Sequence, residues 1–318
     1  MTNTPAIPSL HDIKNAAARI APYIHQTPLL SSQLLNNLIG AKLYFKCENF
    51  QKAGAFKSRG ATNALLLLKQ EGISGPVTTH SSGNHAGALA RAAQVLGIKC
   101  IVVMPNNAPK VKIAAVKEYG AEIRFCEPTL EARENSTNRV IEERGATLVH
   151  PYDNFNIIAG QGTAALEILE KQPSLDAIIT PVGGGGLLSG TSITTKSIDA
   201  SIKVYAGEPK GADDAFRSLK AGKIIPSVNP QTIADGLLTS LGERNFIAIR
   251  QYVDEIFTVS EESIIESMKL IWQYLKIIVE PSSSVALAAV MENKSYFAGR
   301  EIAIILSGGN VDLEDLPF

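Results

Sequence analysis

Short apolar, β-branched runs alternate along the chain with longer stretches in which apolar residues recur every three or four positions. The short runs predict strands at 42–48, 76–81, 99–104, 122–126, 147–150, 176–182, 203–208, 255–260 and 301–307. Several, such as DAIITPV and EIAIILS, are apolar almost throughout, as strands become when helices cover both faces of a parallel sheet. The longer stretches predict helices over 84–97, 110–120, 129–144, 160–171 and 262–277. Ser9 with Asp12 reads as a capping box opening an earlier helix, with Asp where Glu is usual. The alternation predicts an α/β fold with mainly parallel, twisted sheets flanked by helices. No internal repeat or low-complexity linker interrupts it.

In such folds ligands sit beyond the carboxyl ends of strands, where helices begin. Four turns stand out there. VGGGGLLSG follows the strand DAIITPV, and Gly183, Gly184, Gly185 and Gly186 strip side chains from a turn that enters a helical pattern. Successive backbone N–H groups can then converge on a phosphate; a merely flexible loop does not explain the placement between strand and helix. It is neither a Walker loop nor a GxGxxG fingerprint. SSGNHAGALA follows PVTTH and gathers Ser81, Ser82, Asn84 and His85 at a helix start. Those donors suit a carboxylate, although capping alone also places Ser and Asn there. SGGN, after EIAIILS, ends a strand at Ser307 and by itself reads as a tight turn. In EPKGADD, Glu208 and Asp214 offer carboxylates to a hard cation such as Mg2+, while an acidic turn facing solvent is the commoner arrangement.

Composition narrows the function classes. The 318 residues are 45% hydrophobic and 19% charged, ordinary for a globular protein with a real core. Thirty Lys and Arg against 31 Asp and Glu, without runs of like charge, give no electrostatic grip on nucleic acid or an anionic membrane. Cys47, Cys100 and Cys126 lie far apart in apolar stretches and read as reduced, buried thiols. No signal peptide and no apolar run of membrane-spanning length is found, so a cytoplasmic protein is expected.

The remaining feature is Lys57 in GAFKSRGA, a long cation among small residues. An exposed lysine at a helix start is one reading. A phosphate cradle, a carboxylate-binding turn and a guarded lysine together point instead to pyridoxal phosphate and an amino-acid substrate, because lysine forms a Schiff base with the aldehyde and the ring then serves as an electron sink. A catalytically silent protein that keeps only the phosphate cradle is the non-enzyme alternative, and the intact Lys57 speaks against it.

The set GAFKSRGA, SSGNHAG, YDNFNIIAGQGT, VGGGGLLSG, EPKGADD, EPSSS and SGGN, in this order over nearly the whole chain, resembles the serine racemase and serine/threonine dehydratase family. These are pyridoxal-phosphate enzymes of the tryptophan-synthase-β-like fold. The resemblance implies two lobes with the cofactor in the cleft between them, residues 1–75 and 149–318 forming the larger lobe and 76–148 a smaller, mobile one. It implies that Lys57 carries the cofactor and takes the substrate's α-proton from one face, with Phe56 against the ring. Asn84 would bond the phenolic oxygen, Gly183 to Gly186 the phosphate, and Ser307 the pyridine nitrogen. Ser82 matches the position where the family's racemases hold a proton donor and acceptor on the other face, and several of its simple dehydratases have alanine there. Ser81, Ser82, Asn84 and His85 would meet the substrate carboxylate, and Arg133 and Ser240 its side chain. Glu208, the carbonyl of Ala212 and Asp214 match a divalent-cation site for Mg2+, Mn2+ or Ca2+.

The implied activity is racemisation of serine with β-elimination to pyruvate and ammonia. The alternatives are elimination from threo-3-hydroxyaspartate, which Arg133 would favour by pairing with a second carboxylate, and from threonine. A homodimer is implied as well. Lys52 and Lys112 match positions that bind ATP in some animal members, but Ala53 and Gln33 replace polar residues expected beside them, so ATP is not expected.

Overall fold

The structure is a computed structural model and describes residues 5–318; the first four residues of the larger expected lobe lie outside the described residues. Ten strands are present among the described residues: β1 Leu29–Leu30, β2 Lys42–Cys47, β3 Val77–His80, β4 Cys100–Pro105, β5 Glu122–Cys126, β6 Thr147–Leu148, β7 Ala177–Pro181, β8 Lys203–Pro209, β9 Glu255–Val259 and β10 Glu301–Leu306. The helices are α1 Leu10–Ile20, α2 Gln33–Ile39, α3 Lys57–Gln70, α4 Asn84–Leu96, α5 Lys110–Glu118, α6 Leu130–Arg144 and α7 Phe155–Lys171 in the first half. They continue with α8 Gly186–Ile198, α9 Asp214–Ala221, α10 Glu243–Tyr252, α11 Glu261–Leu275, α12 Pro281–Glu292 and α13 Lys294–Phe297. Every predicted strand is found; the pair Leu29–Leu30, too short to carry a periodicity, is additional. The capping box of Ser9 and Asp12 opens α1. The helix predicted from 160 starts five residues earlier, because Asn154 accepts the N–H groups of Asn156 (2.9 Å) and Ile157 (3.1 Å).

The strands form two sheets, one in the order β1-β2-β10-β7-β8-β9 and one in the order β5-β4-β3-β6. All neighbours are parallel except β1 and β2. Side-chain alternation sorts the larger sheet's residues to two cores. Ile302, Ile304 and Leu306 pack with Ala177, Ile179, Leu43 and Phe45 and with residues of α11 and α12. Ala303 and Ile305 point the other way, onto Ile178 and onto Ala164, Ile168 and Leu187 of α7 and α8. The core beside the smaller sheet joins Val77, Val102 and Met104 to α4, and borrows Ala61, Ala64 and Leu65 from α3 and Ile20 from α1.

Two features fix α3, the helix that begins with Lys57. The first is close backbone approach. A Cβ on Gly160 of α7 would lie 2.5 Å from the Cα of Gly60, so α3 and α7 meet through glycines. The second is a fully buried Arg59, whose guanidinium donates to both oxygens of Glu48 (2.7 Å each) and to Glu167 (2.7 and 3.0 Å). Lys46, also buried, donates to Glu167 at 2.5 Å. Two cations and two carboxylates thus neutralise each other inside the protein, the arrangement a buried ion cluster needs. Arg59 is two residues from Lys57, so this cluster anchors the turn that carries the lysine.

Candidate active site

The carboxyl ends of β3, β7 and β10 and the start of α3 converge on one cavity of about 1000 Å³, its open mouth included. Lys57, Phe56, Ser81, Ser82, Asn84, His85, Arg133, Ser307 and all four glycines from Gly183 to Gly186 line it, although they are spread over 252 positions (56 to 307) of the sequence.

Two of the turns are stitched together directly. Phe56 N–H donates to the carbonyl of Ser307 at 3.0 Å and Gly309 N–H to that of Gly54 at 2.9 Å, so GAFK and SGGN run side by side. The glycines of both turns leave room for polar side chains. A Cβ on Gly54 would lie 2.2 Å from Asn310 Oδ1, and one on Gly308 would lie 2.6 Å from Glu280 Oε1.

Lys57 Nζ donates to the Pro151 carbonyl at 2.8 Å and lies 5.2 Å from the centre of the Phe56 ring. Burial without a carboxylate partner pushes its amine down to about 8. A lysine so placed is partly deprotonated near neutral pH and is available as a nucleophile and base. It is not the exposed helix-start lysine that the sequence also allowed.

The glycine loop leads into α8 with Gly185 as its N-cap, at φ +90, a conformation that glycine adopts freely. No side chain caps this helix, and Gly186, Leu187 and Leu188 of its first turn line the cavity. The Gly184 carbonyl is drawn away by Asn245 Nδ2 (2.6 Å) and Gly242 N–H (3.2 Å), which turns the N–H of the same peptide, that of Gly185, in the opposite direction. Uncapped donors at the positive end of a helix form an anion site. The Tyr152 ring closes the loop's other side: a Cβ on Gly184 would lie 2.4 Å from it.

The SSGNH turn contributes differently from residue to residue. Ser81 Oγ accepts the Gly83 N–H at 3.2 Å. Asn84 Nδ2 donates to Glu280 Oε1 at 2.5 Å, and Asn84 Oδ1 accepts from Asn310 Nδ2 at 3.0 Å. One N–H of Asn84 is left for a ligand. His85 Nε2 donates to the Val149 carbonyl at 3.2 Å, while its buried Nδ1 has no partner among the described residues. Burial and the nearby Lys57 hold this imidazole well below its usual range, so it is neutral.

Arg133 is half-buried at the cavity wall, where its Nε reaches only the carbonyl of Thr129 in its own helix (3.4 Å). Among the described residues it forms no ion pair, so the neighbouring-glutamate arrangement is not the one adopted. Ser240, expected at the substrate's side chain, instead accepts the Ser227 N–H at 2.8 Å, and Thr239 beside it lines the cavity. Lys112 pairs with Asp235 and lies 3.8 Å from Glu280, so its charge is directed at acids on the cavity wall.

The sequence profile of the pyridoxal-phosphate dependent enzymes matches residues 20–308. The chain belongs to that family. This pyridoxal-phosphate enzyme is 52% identical over 312 residues to the serine racemase of Dictyostelium discoideum, covering 97% of this chain and 96% of that one. It is 48% identical over 312 residues to the beta-hydroxyaspartate dehydratase of Paracoccus denitrificans (strain Pd 1222), covering 98% and 99%. The structure of maize serine racemase superposes with a TM-score of 0.95 at 47% identity, covering 97% of this chain and 95% of that one.

The enzyme's cavity also holds residues to which the sequence assigned no role. His80, one residue before the end of the strand predicted at 76–81, lines the cavity, and its ring meets edge to face at 5.7 Å that of His150, which ends the strand predicted at 147–150 and precedes the lining residue Pro151. Glu280 stood in the quoted EPSSS without a function. Burial raises its carboxyl to about 7 against the pull of Lys112. Tyr152 likewise opened the quoted YDNFNIIAGQGT without a function, and Asp235 and Thr239 had no signal of their own.

The acidic turn lies apart from this cavity. Both oxygens of Glu208 accept N–H groups at the start of α9, from Ala215 and Phe216 at 2.8 Å each. Both oxygens of Asp214 are buried without a hydrogen-bond partner among the described residues. Burial raises Glu208 to about 9 and Asp214 to about 6. No cluster of three or more His, Cys, Asp or Glu side chains forms among the described residues, so a cation here would need backbone carbonyls and water to complete its shell. Two desolvated acids, one with orphaned oxygens, suit a hard cation.

Proposed function

We propose that the enzyme racemises serine and also eliminates its hydroxyl to give pyruvate and ammonia. The observation that carries this is Lys57, a half-buried amine whose one acceptor among the described residues is a neutral carbonyl, sharing one cavity with Ser82 and the uncapped start of α8. Gly183 to Gly186 would hold the phosphate of pyridoxal phosphate, Phe56 its ring, Asn84 its phenolic oxygen and Ser307 its pyridine nitrogen. The bound cofactor would supply an electron-withdrawing ring that stabilises negative charge at the substrate's Cα. A hydroxyl at Ser307, in place of an acid, leaves the ring nitrogen unprotonated and the sink milder.

Lys57 Nζ takes the α-proton from one side, and Ser82 Oγ exchanges a proton with Cα on the other, as inversion requires. Ser81 and the N–H groups at the start of α4 hold the substrate carboxylate beside neutral His85. Glu208, the Ala212 carbonyl and Asp214 would hold Mg2+, or a related divalent cation, as a structural and activating site; the orphaned oxygens of Asp214 support it. The four-stranded sheet, built from residues within 77–148, supports a smaller lobe that closes over the substrate and excludes water. The enzyme works as a cytoplasmic homodimer.

Arg133 favours a second reading. A guanidinium at the cavity wall without a carboxylate partner would receive a second substrate carboxylate, which makes 3-hydroxyaspartate the alternative substrate. One experiment separates the two: kcat/KM for L-serine, D-serine, L-threonine and the 3-hydroxyaspartates, with Mg2+ and with a chelator. Serine turnover in both directions is expected. A strong preference for hydroxyaspartate without racemisation would overturn the first reading.

A further inference from the structure

Residues 149–154, Val-His-Pro-Tyr-Asp-Asn, form a strap along the cavity between β6 and α7, and its residues are pinned from both sides. Val149 N–H donates to the Thr78 carbonyl at 2.8 Å, and its own carbonyl accepts from His85. The Tyr152 carbonyl accepts from Asn245 Nδ2 at 3.3 Å. Asp153 accepts the first N–H groups of α10, from Glu243 at 3.0 Å and Arg244 at 3.2 Å, and Asn154 caps α7. Within this frame His150 Nδ1 accepts the N–H of Asp153 at 2.9 Å and that of Tyr152 at 3.4 Å, closing the strap into a turn. Pro151, inside the turn, has no N–H and a fixed φ, so the closure of the turn decides where its carbonyl points. That carbonyl is the one acceptor that Lys57 Nζ meets among the described residues.

We propose that His150 is a positioning residue for Lys57: by closing the 150–153 turn through Nδ1, it aims the Pro151 carbonyl that holds the lysine amine in the cavity. The proposal rests on the reading of Lys57 as the cofactor-bearing residue. It requires a neutral imidazole, because a protonated ring has no lone pair at Nδ1. Burial, with His80 and Lys57 close by, keeps His150 neutral down to about 4. The titratable or charged side chains that line the adjoining cavity are Lys57 at the start of α3, His80 at the end of β3, His85 on α4, Arg133 on α6, Tyr152 in the strap itself, and Asp235 and Glu280. A neutral carbonyl acceptor steadies the amine without the charge stabilisation a carboxylate would give, so Lys57 stays reactive near neutral pH.

The His150 ring also packs edge-on against Tyr152, with centres 4.7 Å apart, so packing and hydrogen bonding must be separated. His150→Phe keeps a ring and loses the acceptor; His150→Asn loses the ring and keeps an acceptor near the place of Nδ1. The full-length protein, stripped of cofactor, is mixed with pyridoxal phosphate, and the rate of C=N bond formation (water leaving) is followed by its visible absorbance across pH. Wild type, with Lys57→Ala as the blank, tests the underlying reading first: equal attachment in both would refute Lys57 itself. His150→Phe is expected to attach at least about tenfold more slowly. Its rate should also have a pH midpoint about one unit higher, as the loosened amine reaches water. His150→Asn should stay within about threefold of wild type with an unshifted midpoint. A Phe variant like wild type, or an Asn variant as slow as Phe, would overturn the proposal. Should His150→Phe not fold, Pro151→Gly takes its place: it frees the carbonyl with His150 intact, and unchanged attachment there would overturn the proposal equally.

Discussion

Asn84 and Glu280 are joined by a 2.5 Å hydrogen bond that ties the first residue of α4 to the N-cap of α12, across the wall of the cavity. Glu280 is buried, and its second oxygen has no hydrogen-bond partner, with Lys112 3.8 Å away. Glu280→Ala leaves an amide N–H and part of the Lys112 charge uncompensated in the interior. The expected loss is about 2 kcal/mol of stability, read from the urea midpoint of the cofactor-stripped chain. Glu280→Gln keeps an oxygen for Asn84 and should lose less than half as much. Equal losses in the two variants would mean that the bond to Asn84 carries no weight.

Lys57 and Ser82 line the same cavity, and only a two-sided arrangement of proton carriers inverts a carbon centre. Ser82→Ala should therefore reduce racemisation by at least about a hundredfold while elimination falls by less than about tenfold. Lys57→Ala should remove both, along with the visible absorbance of the bound cofactor. Chiral chromatography of the residual serine, run beside a pyruvate assay, reads the two reactions separately. A Ser82→Ala enzyme that loses both equally would contradict the assignment of the two faces.

The close approach of α3 and α7 makes Gly160 intolerant of a single methyl group. Its Cβ would lie 2.5 Å from the Gly60 Cα and 2.8 Å from the Arg59 carbonyl, both backbone atoms that cannot swing aside. Gly160→Ala is expected to cost about 3 kcal/mol or more through forced separation of the helices. It should also weaken cofactor retention, because α3 begins at Lys57. Gly87→Ala inside α4, where a Cβ meets nothing within 4 Å, is the control and should leave stability unchanged or raise it by up to about 1 kcal/mol.

The cation proposal has a definite pH dependence. Glu208 is raised to about 9 and Asp214 to about 6, and a metal must displace protons from whichever acid still holds one. Stabilisation by added Mg2+ or Ca2+, measured as the rise in Tm, should thus be larger at pH 8.5 than at pH 6. Asp214→Asn should abolish the rise at both. Without metal the sign is reversed: these carboxyls are more protonated folded than unfolded, so their contribution to stability declines as pH climbs from the unfolded values through 6 and 9. An increment that shrinks with pH would rule out both ligands.

Much of this architecture was legible because parallel strands and the turns after them follow local rules. The strand ending at Ser307 and the one ending at Val182 were readable as apolar runs, and their glycine turns followed. The helices that escaped lack the features those rules use. PSSSVALAAVME of α12 is buried along most of its length and so has no polar face to set a period. GLLSGTSITTKSI of α8 reads as a helical pattern after the glycine turn, but its bounds are not legible, because it is rich in β-branched and small residues that are weak helix formers. In the site, Lys57 and the glycines were marked by chain-local anomalies. Tyr152 and Glu280 were not, because their role comes from residues more than 30 positions away (Gly184 and Asn84). Ser240 and Thr239 show the residual ambiguity: a one-residue difference decides which side chain faces the cavity, and only the anchoring of Ser240 by Ser227 resolves it.

The three histidines around Lys57 make a prediction about acid stability. Burial lowers all three below the usual imidazole value, His150 to about 4, and His150 and His85 each spend a ring nitrogen in a bond that fixes the neutral form. Unfolding between pH 6.5 and 4 then takes up protons. The stability these groups contribute is fully present above 6.5 and is lost as pH falls towards the folded value, by up to about 1.4 kcal/mol per pH unit for each histidine. Asp214, Glu280 and Glu208, raised to about 6, about 7 and about 9, work in the opposite direction over part of the same range, so the total slope is a poor test. The difference between wild type and His150→Asn isolates one group. Wild type should be the more stable at pH 7.5, and its advantage should shrink steadily as the pH is lowered from 6.5 to 4.5 in urea titrations of the cofactor-stripped chain. A constant gap across that range would mean that His150 is not held neutral by the fold, and with it would go the argument that its Nδ1 closes the turn beneath Lys57.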